Sequence, residues 1–414
     1  MKNQFNLFGT IKEEKASYED WEFRDADTQY LTHGVHPYPA RMIPQIASSL
    51  IKMYLSRNNN AVIVDTFCGS GTVNVEASLL GFKSIGIDLN PFAVLLSKVK
   101  TIDFERSNVI TDIRNEFFNI LNLYKGPISK EIPKYKTLTH WFKEDVTNKL
   151  SFLKHNIESI QDAKLKELLL IAFSNTVMKS SNVNWGSSRY IRVYPKEKLE
   201  KLHPDVFQVF KYSLIEIEHR IKSYSEKKKA DVEIIRADTR KLPLKDKAAD
   251  IIITSPPYGE ERNTIPYIRW SKLFLLWLGI EEEEILKSDK QSLGGNKKNQ
   301  INKDDIPSET FWKSVKDVPS QRIQEASPFL FDYLITLQEM KRILKKDKKC
   351  CIVIGHRSLK RKILDMGKIT IELATNVGFN FEHIFRRRIP KKMIPWTTPT
   401  GETIFDESIV ILKN

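Results

Sequence analysis

A glycine-rich turn and a following carboxylate have the residue types that hold a nucleoside. The turn DTFCGSGT (65–72) comes directly after a short apolar run, and its glycines would let the backbone approach a ligand closely. Asp88 comes after the next apolar run, where a carboxylate can accept hydrogen bonds from both ribose hydroxyls. The dinucleotide fingerprint G-x-G-x-x-G and the phosphate loop G-K-[ST] do not occur at this turn. The pattern therefore favours an adenosine ligand that carries no phosphate.

A second motif, TSPPY (254–258), could hold and orient a flat ring. Its two prolines fix the backbone as it leaves an apolar run, and the freed carbonyls and the Ser255 hydroxyl are then placed to hold a ligand. Tyr258 adds an aromatic face suited to stacking on a base. In isolation, a plain Pro-Pro turn would be the simplest explanation. Because both motifs follow apolar runs, where the strands of open α/β sheets end and ligands bind, a shared site is favoured.

The spacing of apolar residues predicts alternating strands and helices around these motifs. Short continuous apolar runs are typical of buried parallel strands, and runs of helical periodicity lie between them. Pro91 fits the first turn of a helix, where its missing N–H is not needed. This alternation is the pattern of a doubly wound parallel sheet. Strands are predicted at 61–65, 84–88, 232–235, 250–254, 351–354, 380–386 and 408–412, and helices at 42–56, 72–80, 91–100, 362–377 and up to about Leu344.

The alternation is interrupted twice. From about 103 to 228 the periodicity predicts several helices and no strand, including helices over 143–160 and 163–178. The stretch 288–305 is polar, contains two adjacent glycines and several lysines, and is predicted to be a loop or a mobile arm. The simplest architecture is one α/β sheet with a helical insertion.

Composition restricts the class of protein. A hydrophobic fraction of 41% and a charged fraction of 29% are those of a soluble globular protein. No apolar run reaches the roughly 18 residues of a membrane span, and the first residues lack the apolar core of a signal peptide, so we expect a cytoplasmic protein. The three cysteines lack zinc-ligand spacing, which argues against a metal site or a disulfide framework. The net charge of +14 fits either a solvated lysine-rich surface or a polyanionic partner.

Taken together, the motifs resemble those of DNA amino-methyltransferases, the N4-cytosine/N6-adenine family of restriction-modification systems. The resemblance rests on DTFCGSGT (65–72), Asp88, TSPPY (254–258) and the upstream segment HGVHPYPARM (33–42), which is similar to that family's N-terminal cofactor motif. It implies a class I S-adenosylmethionine-dependent methyltransferase fold, which is an α/β fold with a Rossmann-like seven-stranded sheet, here with a helical insertion. It also implies S-adenosyl-L-methionine as the cofactor, no metal, and a prokaryotic cytoplasmic protein.

The resemblance implies a cofactor site and a catalytic site. Asp88 would hold the ribose, Asp238 would face the adenine amino group, and the glycine turn would surround the methionine half. Ser255 and the Pro256 carbonyl would accept hydrogen bonds from the target amino group, with Tyr258 stacked on a base flipped out of the duplex. The implied cofactor-binding residues are Tyr38, Asp65, Phe67, Cys68, Gly69, Gly71, Thr72, Asp88, Asn90, Pro91 and Asp238, and the implied catalytic residues are Ser255, Pro256, Pro257 and Tyr258.

The implied chemistry needs no strong base. The lone pair of an exocyclic amine is delocalised into the ring, and hydrogen-bond acceptors aimed at the NH₂ group favour a tetrahedral nitrogen that can attack the sulfonium methyl. Methylation at cytosine C5 would need a cysteine after Pro256, where Pro257 stands instead. Ser255 at the head of the motif resembles cytosine-N4 enzymes more than adenine-N6 enzymes.

The resulting hypothesis is site-specific methylation of cytosine N4 in duplex DNA, in a restriction-modification system with a separately encoded endonuclease. Adenine N6 is the first alternative, followed by guanine N2 in tRNA, a glutamine amide, and a catalytically silent DNA-binding protein. Target recognition is expected from the helical insertion (103–230), the basic segment 281–330, or both. The remaining parts are a cofactor-binding half (30–102), a catalytic half (231–280) and the C-terminal part of the sheet (331–414).

Overall fold

A computed structural model describes residues 21–56, 60–104, 109–185, 192–257, 267–295, 301–359, 362–389 and 406–414. The strands within these residues are β1 (Val62–Asp65), β2 (Lys83–Asp88), β3 (Val183–Asn184), β4 (Arg192–Val193), β5 (Val232–Arg236), β6 (Ala249–Thr254), β7 (Leu344–Gly355), β8 (Arg357–Leu359), β9 (Lys362–Leu364), β10 (Asn380–Arg388) and β11 (Asp406–Lys413).

Seven of these strands form one sheet in the order β10-β11-β7-β6-β1-β2-β5. Neighbours from β5 to β7 run parallel, whereas β11 is antiparallel to both β7 and β10. β1 and β6 are adjacent, with Ile63 beside Ile251, although the insertion separates them in the chain. Since parallel strands end at a common edge, the residues that follow β1, β2 and β6 meet there.

Local signals explain the helix boundaries nearest the motifs. The helix after β1 begins behind Gly71 and ends at Gly81, which have φ angles of 74° and 90° that suit glycine. The helix after β2 starts at Pro91, and the Asn90 side chain caps it by accepting from the Phe92 N–H. The α-helices are α1 (Pro44–Tyr54), α2 (Thr72–Leu80), α3 (Pro91–Lys100), α4 (Val109–Leu121), α5 (Leu138–Trp141), α6 (Glu144–Glu158), α7 (Ala163–Ser180), α8 (Lys196–Lys201), α9 (Val206–Ser225), α10 (Tyr267–Trp277), α11 (Glu282–Gln291), α12 (Glu309–Ser314), α13 (Ser320–Ile343) and α14 (Met366–Val377).

Helices cover both faces of the sheet, because successive strand residues point to opposite sides. On one face, α1 and α2 pack against Ile63 and Ile251. On the other face, α12, α13 and α14 pack against Val64 and Ile252. The central strands are thus apolar on both sides, as a parallel sheet covered by helices requires.

The 103–230 insertion has an apolar core of its own that continues into the neighbouring helices. Phe173 of α7 and Phe210 of α9 are buried in the same cluster as Leu96 of α3 and Trp277 of α10. Burial of such large side chains is worth roughly 1.5–3 kcal/mol each. The insertion is therefore held against the helices that flank the candidate site.

The predicted α/β fold class is confirmed, with the seven predicted strands in one sheet. Two local predictions, the loop over 288–305 and the basic loop over 281–330, are wrong. These segments are largely polar in sequence, so their buried residues gave no helical periodicity. The stretch 288–305 is not a loop throughout, because Ser288 begins the last turn of α11 and is buried, as is Ile285 one turn earlier. The surrounding segment 281–330 is not a loop, because it contains α11, α12 and the start of α13. Nor is it basic, because its ten Asp and Glu residues outnumber its eight Lys and Arg residues.

Two further predictions miss short strands. The insertion contains the two-residue strands β3 and β4, in which Val183 pairs with Val193. The helix predicted over 362–377 begins only at Met366, because Asp365 caps it by accepting from the Lys368 N–H at 3.1 Å. The residues before Asp365 form β9, which pairs with β8.

Candidate active site

The two motifs are joined by hydrogen bonds between the ends of adjacent strands. Asp65 is only 3% exposed, and its Oδ1 accepts from the Thr254 hydroxyl at 2.7 Å and from the Phe67 N–H at 3.1 Å. The Thr254 oxygen also accepts from the Phe67 N–H, at 3.1 Å. One carboxylate oxygen of Asp65 therefore fixes the glycine turn to the start of the Ser-Pro-Pro motif.

The glycine turn approaches its neighbours too closely for other residue types. The Gly69 N–H donates to Asp88 Oδ2 at 2.9 Å, and its carbonyl accepts from Ser97 Oγ at 2.7 Å. A Cβ on Gly69, whose φ is 50°, would lie 3.3 Å from the Tyr38 ring. A Cβ on Gly71, whose φ is 74°, would lie 3.0 Å from Ser97 Oγ. Both glycines are thus required by backbone conformation and by space.

Asp88 is held by backbone amides and keeps capacity to accept more hydrogen bonds. Its Oδ1 accepts from the Asn90 N–H at 2.8 Å, and its Oδ2 accepts from Gly69. Asn90 caps α3 and donates from Nδ2 to Ser271 Oγ at 3.2 Å, which joins α3 to α10. Each Asp88 oxygen has a further acceptor position, because a carboxylate offers about four.

Burial leaves two carboxyl groups with raised pKa values at this edge of the sheet. Burial raises the pKa of Asp65 to about 7, although its hydrogen bonds act in the opposite direction. Burial likewise raises the pKa of Asp88 to about 6. A cationic ligand between them would favour the ionised forms of both. Burial also raises the pKa of the Cys68 thiol well above its usual range, so Cys68 is not an activated nucleophile.

The segment HGVHPYPARM (33–42) precedes the first strand of the sheet and contributes residues to the lining of the same site as the glycine turn. His33 is buried, and its Nε2 lies 2.9 Å from Glu76 Oε1 on α2. Arg41 donates to the His33 carbonyl. Burial lowers the pKa of His36 to about 4, so that its ring is neutral where it packs on the ring of Phe92. These contacts hold the segment against α2 and α3.

Two tyrosine rings stack beside the glycine turn. The rings of Tyr38 and Tyr267 lie 5.9 Å apart between centroids, with an interplanar angle of 26°. Tyr267 is the first residue of α10, and Trp270 on the same helix meets Tyr38 edge-on at 6.0 Å. The pair forms a flat aromatic wall next to Gly69.

The Ser-Pro-Pro motif follows β6, and the hydroxyl of its serine already has a hydrogen-bond partner. Ser255 Oγ donates to the Val353 carbonyl of β7 at 2.9 Å. Pro256 is buried and Pro257 is half-buried. Tyr258 lies outside the described residues. Since the Ser255 hydrogen is used on the backbone, its oxygen can act toward a ligand only as an acceptor.

Asp238, which follows β5, is paired with a cation. Arg240 contacts both of its carboxylate oxygens, with Nε 3.0 Å from Oδ1 and Nη2 2.6 Å from Oδ2. The backbone N–H of Arg240 donates to the same Asp238 oxygen, Oδ1, at 2.9 Å. This pair fixes the orientation of the Asp238 carboxylate.

These elements line one cavity, which is open to solvent and contains about 1010 Å³ free of protein atoms, including its open mouth. Three of the predicted site residues that the structure describes do not line it. Gly71 and Pro91 lie at helix N-termini, and Pro256 is buried. The sequence-predicted residues that the cavity brings together are Tyr38, Asp65, Phe67, Cys68, Gly69, Thr72, Asp88, Asn90, Asp238, Ser255 and Pro257.

Sequence reasoning missed part of the cavity lining. Arg41 is the one basic side chain among the described lining residues, and its position inside the quoted N-terminal segment was an available signal. Tyr267 had no signal beyond its aromatic type. The last turn of α11 and the following residues had none, because they look like a polar loop. The missed lining residues of that segment are Asp289, Gln291, Ser292 and Leu293.

Within the described part of the chain, no three His, Cys, Asp or Glu side chains come together as a group that could hold a metal ion. None of the helices in that part is both long and apolar enough to span a membrane.

The sheet has one antiparallel strand, β11, between β7 and β10, and an acidic, glycine-lined cavity lies at the carboxyl ends of its parallel strands. Together these features define a class I S-adenosylmethionine-dependent methyltransferase. Residues 6–99 match the family model described as DNA methylase. The type II methyltransferase M.MvaI of Kocuria varians is 30% identical over 427 residues, covering 95% of this chain and 93% of that protein. The chain belongs to this family of DNA amino-methyltransferases.

More distant relatives share parts of the chain. The type II methyltransferase M.BsoBI of Geobacillus stearothermophilus is 26% identical over 268 residues, covering 58% of this chain and 51% of that protein. Among solved structures, a SAM-dependent methyltransferase from Methanosarcina mazei is 10% identical, and the match covers 88% of this chain and 96% of that chain. Its TM-score is 0.32. Membership of the family makes the chain a type II DNA methyltransferase with S-adenosylmethionine as its cofactor.

Proposed function

We propose that the enzyme transfers the methyl group of S-adenosylmethionine to the exocyclic N4 amino group of cytosine, within a specific sequence of duplex DNA. A separately encoded restriction endonuclease would recognise the same sequence, in the cytoplasm of a prokaryotic cell. Adenine N6 is the competing acceptor, and the experiment below separates the two.

The donor set of the cavity suits S-adenosylmethionine. The methionine half carries an ammonium and a sulfonium, and buried Asp65 and Asp88 would be stabilised in their ionised forms by such charges. The glycine turn leaves room for close backbone contact, with the Tyr38 ring at its side. In our proposal Asp65, Phe67, Cys68, Gly69 and Thr72 surround the methionine half.

The nucleoside half would lie toward β2 and β5. Asp88, with a free acceptor position on each oxygen, would bind the ribose hydroxyls, and Asn90 would hold that carboxylate in place. Asp238 would accept from the adenine amino group, and Tyr38 would pack against the cofactor. Gly71 and Pro91 would act indirectly, by shaping the starts of α2 and α3.

The engaged hydroxyl of Ser255 is the observation that carries the choice of an amine acceptor. Since it donates to the Val353 carbonyl, its oxygen can only accept from the substrate, as an NH₂ group requires. Pro256 and Pro257 have no N–H groups, so the backbone there offers carbonyl oxygens alone. Such acceptors would favour a tetrahedral nitrogen whose lone pair can attack the methyl group. The new C–N bond would form as the C–S bond breaks, S-adenosylhomocysteine would leave, and the nitrogen would then lose one proton to solvent. Bound S-adenosylmethionine supplies the electrophilic methyl.

Cytosine is favoured over adenine by the serine at the head of the motif, which resembles cytosine-N4 enzymes. Tyr258 would stack on the flipped base. Methylation at C5 is disfavoured because Pro257, and not a cysteine, follows Pro256, and because the cysteines of this chain are buried in the structure.

DNA recognition would come chiefly from the insertion (103–230). The other sequence-predicted candidate is the segment 281–330. Because the end of α11 in this segment lines the cofactor cavity, less of the segment is left to contact DNA. The +14 net charge would attract the phosphate backbone. In our proposal 30–102 forms the cofactor half, 231–280 the catalytic half and 331–414 the rest of the sheet.

The test is to incubate the purified protein with S-adenosylmethionine and unmethylated DNA, then identify modified nucleosides by mass spectrometry. We expect N4-methylcytosine and no C5-methylcytosine. Exclusive N6-methyladenine would overturn the choice of base. Methylation of tRNA or of a protein glutamine, with none of DNA, would overturn the proposed substrate. The Ser255→Ala variant is the matched control, since it should bind cofactor normally and form little product.

A further inference from the structure

The end of α11 forms a wall of the cofactor cavity. Gln291, Ser292 and Leu293 line the same cavity as the glycine turn, although they lie far from it in the chain. Leu293 is also buried in the apolar cluster beneath α13. Gly294 has a φ of 72°, and a Cβ there would lie 2.9 Å from the Phe329 backbone of α13. This wall, Gln291–Gly294, is therefore seated directly on α13.

One arginine holds the wall from the side of β5. Arg240 Nη2 donates to the Gln291 carbonyl at 2.6 Å, and Nη1 lies 2.9 Å from Asp332 Oδ2 on α13. The same Asp332 oxygen accepts from the Gly294 N–H at 2.9 Å. Both ends of the wall are thus fixed to the Arg240–Asp332 pair.

Asp332 forms a buried ion pair with this arginine. Its side chain is 1% exposed, and the Arg240 side chain is 18% exposed. A buried carboxylate that loses its cation is strongly unfavourable, and its hydrogen bonds to neighbours weaken or rearrange. Loss of Arg240 would therefore remove an ion-pair partner of the carboxylate that holds Gly294, as well as the hydrogen bond to the Gln291 carbonyl.

Arg240 also holds the Asp238 carboxylate, through Nε and Nη2, beside the Gln291 carbonyl that the same Nη2 contacts. One guanidinium thus joins two parts of the lining that belong to different elements: the residue after β5 and the wall after α11. Its planar, rigid fork suits this bridging, whereas the single ammonium of a lysine could satisfy only part of it.

We propose that Arg240 is a positioning residue that latches the Gln291–Gly294 wall and the Asp238 carboxylate around the cofactor, and that it sets how long S-adenosylmethionine and its product S-adenosylhomocysteine stay bound. The inference rests on the proposed placement of the cofactor in this cavity. Arg240 contacts no methyl acceptor in this view and acts through the groups it holds.

Arg342 offers a matched control in the same region. Arg342 lies on α13 and, like Arg240, joins α13 to the loop after β5. Its guanidinium donates hydrogen bonds to the Leu242 and Leu244 carbonyls at 3.1 and 2.8 Å. It pairs with Glu339 and Asp246, and is not among the residues that line the cavity. Loss of Arg342 should thus loosen the loop without touching the latch.

The experiment compares Arg240→Ala, Arg240→Lys and Arg342→Ala in the full-length protein. Calorimetry gives the Kd of S-adenosylmethionine and S-adenosylhomocysteine, and displacement of labelled ligand gives the dissociation rates. We expect Arg240→Ala to raise both Kd values roughly tenfold or more, mainly through faster dissociation. Arg240→Lys should lie between, and Arg342→Ala should change them less than about threefold. Hydrogen exchange should accelerate at Ser292–Gly294 in Arg240→Ala only.

If Arg240→Ala does not fold, Gly294→Ala tests the same wall with the arginine intact, and should also speed ligand release. Wild-type affinity in folded Arg240→Ala, or equal losses in Arg240→Ala and Arg342→Ala, would overturn the latch. Should Asp88→Asn lose cofactor while Arg240→Ala keeps it, the proposed cofactor site stands and the latch alone is wrong. Failure of the wild-type protein to bind S-adenosylmethionine would overturn both.

Discussion

Cofactor affinity should depend on pH because two carboxyl groups in the cavity have raised pKa values. S-adenosylmethionine carries a net positive charge, and in the proposed placement it should bind best when Asp65 and Asp88 are ionised. With pKa values of about 7 and about 6, both are largely ionised at pH 8 and largely protonated at pH 5.5. The Kd of S-adenosylmethionine should therefore decrease as the pH rises through this window.

The size of the effect follows from the two pKa values. At pH 5.5, a carboxyl group with a pKa of about 6 is roughly one quarter ionised, and one with a pKa of about 7 is roughly 3% ionised. If binding needs both charges, affinity should be roughly 100-fold weaker at pH 5.5 than at pH 8. Binding near pH 6 should release roughly 1.4 protons from the two carboxyl groups.

The stability of the ligand-free protein should change with pH in the opposite direction to the cofactor affinity. Because the folded-state pKa values lie above the unfolded ones, these carboxyl groups stabilise the fold fully below about pH 4, and that stability is lost as the pH rises through 6 to 7. The melting temperature without cofactor should thus fall over this range from their contribution, while the increase that S-adenosylmethionine produces should grow.

Calorimetry in two buffers of different ionisation enthalpy measures both the Kd and the proton release. Asp65→Asn is the cleanest variant, because both hydrogen bonds to Asp65 reach the one oxygen that an asparagine can keep. It should weaken binding at pH 8 and remove the larger part of the pH dependence, leaving roughly a fourfold change from Asp88. A wild-type Kd that is flat from pH 5.5 to 8, or an unchanged slope in Asp65→Asn, would refute this reasoning.

Four other outcomes are expected. Gly71→Ala should lower the free energy of unfolding by roughly 1–3 kcal/mol, measured by urea denaturation, because its φ is 74° and Ser97 occupies the space of a Cβ. Ser255→Ala should lower kcat by roughly tenfold in steady-state assays and leave the Kd for DNA nearly unchanged, since its hydrogen bond matters most in the transition state; a change in Kd alone would contradict this. Tyr258→Ala should nearly abolish turnover but not cofactor binding, with Tyr258→Phe partly active, because stacking is worth about 1–3 kcal/mol per base. DNA affinity should fall roughly 10³-fold between about 50 and 200 mM salt if about six phosphates are contacted, and a flat titration would contradict a phosphate-binding surface.

The sequence predicted best those features whose cause is local. The start of α3 follows from Asn90 and Pro91, whose cap and fixed φ act within one turn. The strands β1, β2 and β6 could be placed because they are short apolar runs, and their ends located the motifs. Helix α11 was misassigned at its end because only Ile285 and Ser288 of it are buried, too few to give a clear periodicity.

The parts of the site that sequence could not predict depend on distant partners. Arg240 and Asp332 are far apart in the chain, and nothing near either residue indicates that they form a pair. Likewise, the Ser255 hydroxyl is fixed as an acceptor by a carbonyl of β7, which only the sheet order brings alongside. Residue types identified the motifs, whereas the protonation and orientation of their side chains required the fold.

The position of β11 has a consequence for how the protein is made. This strand is synthesised after β7 and β10 but lies between them, so β10 has no neighbour in the sheet until β11 is in place. At roughly 5–20 residues per second, the ribosome takes about 3–10 s to get from the end of β7 to Asp406. During that time the apolar strand β7 has an unpaired edge, which invites pairing with other chains. Chains whose synthesis stops before Asp406 should therefore aggregate and not methylate DNA.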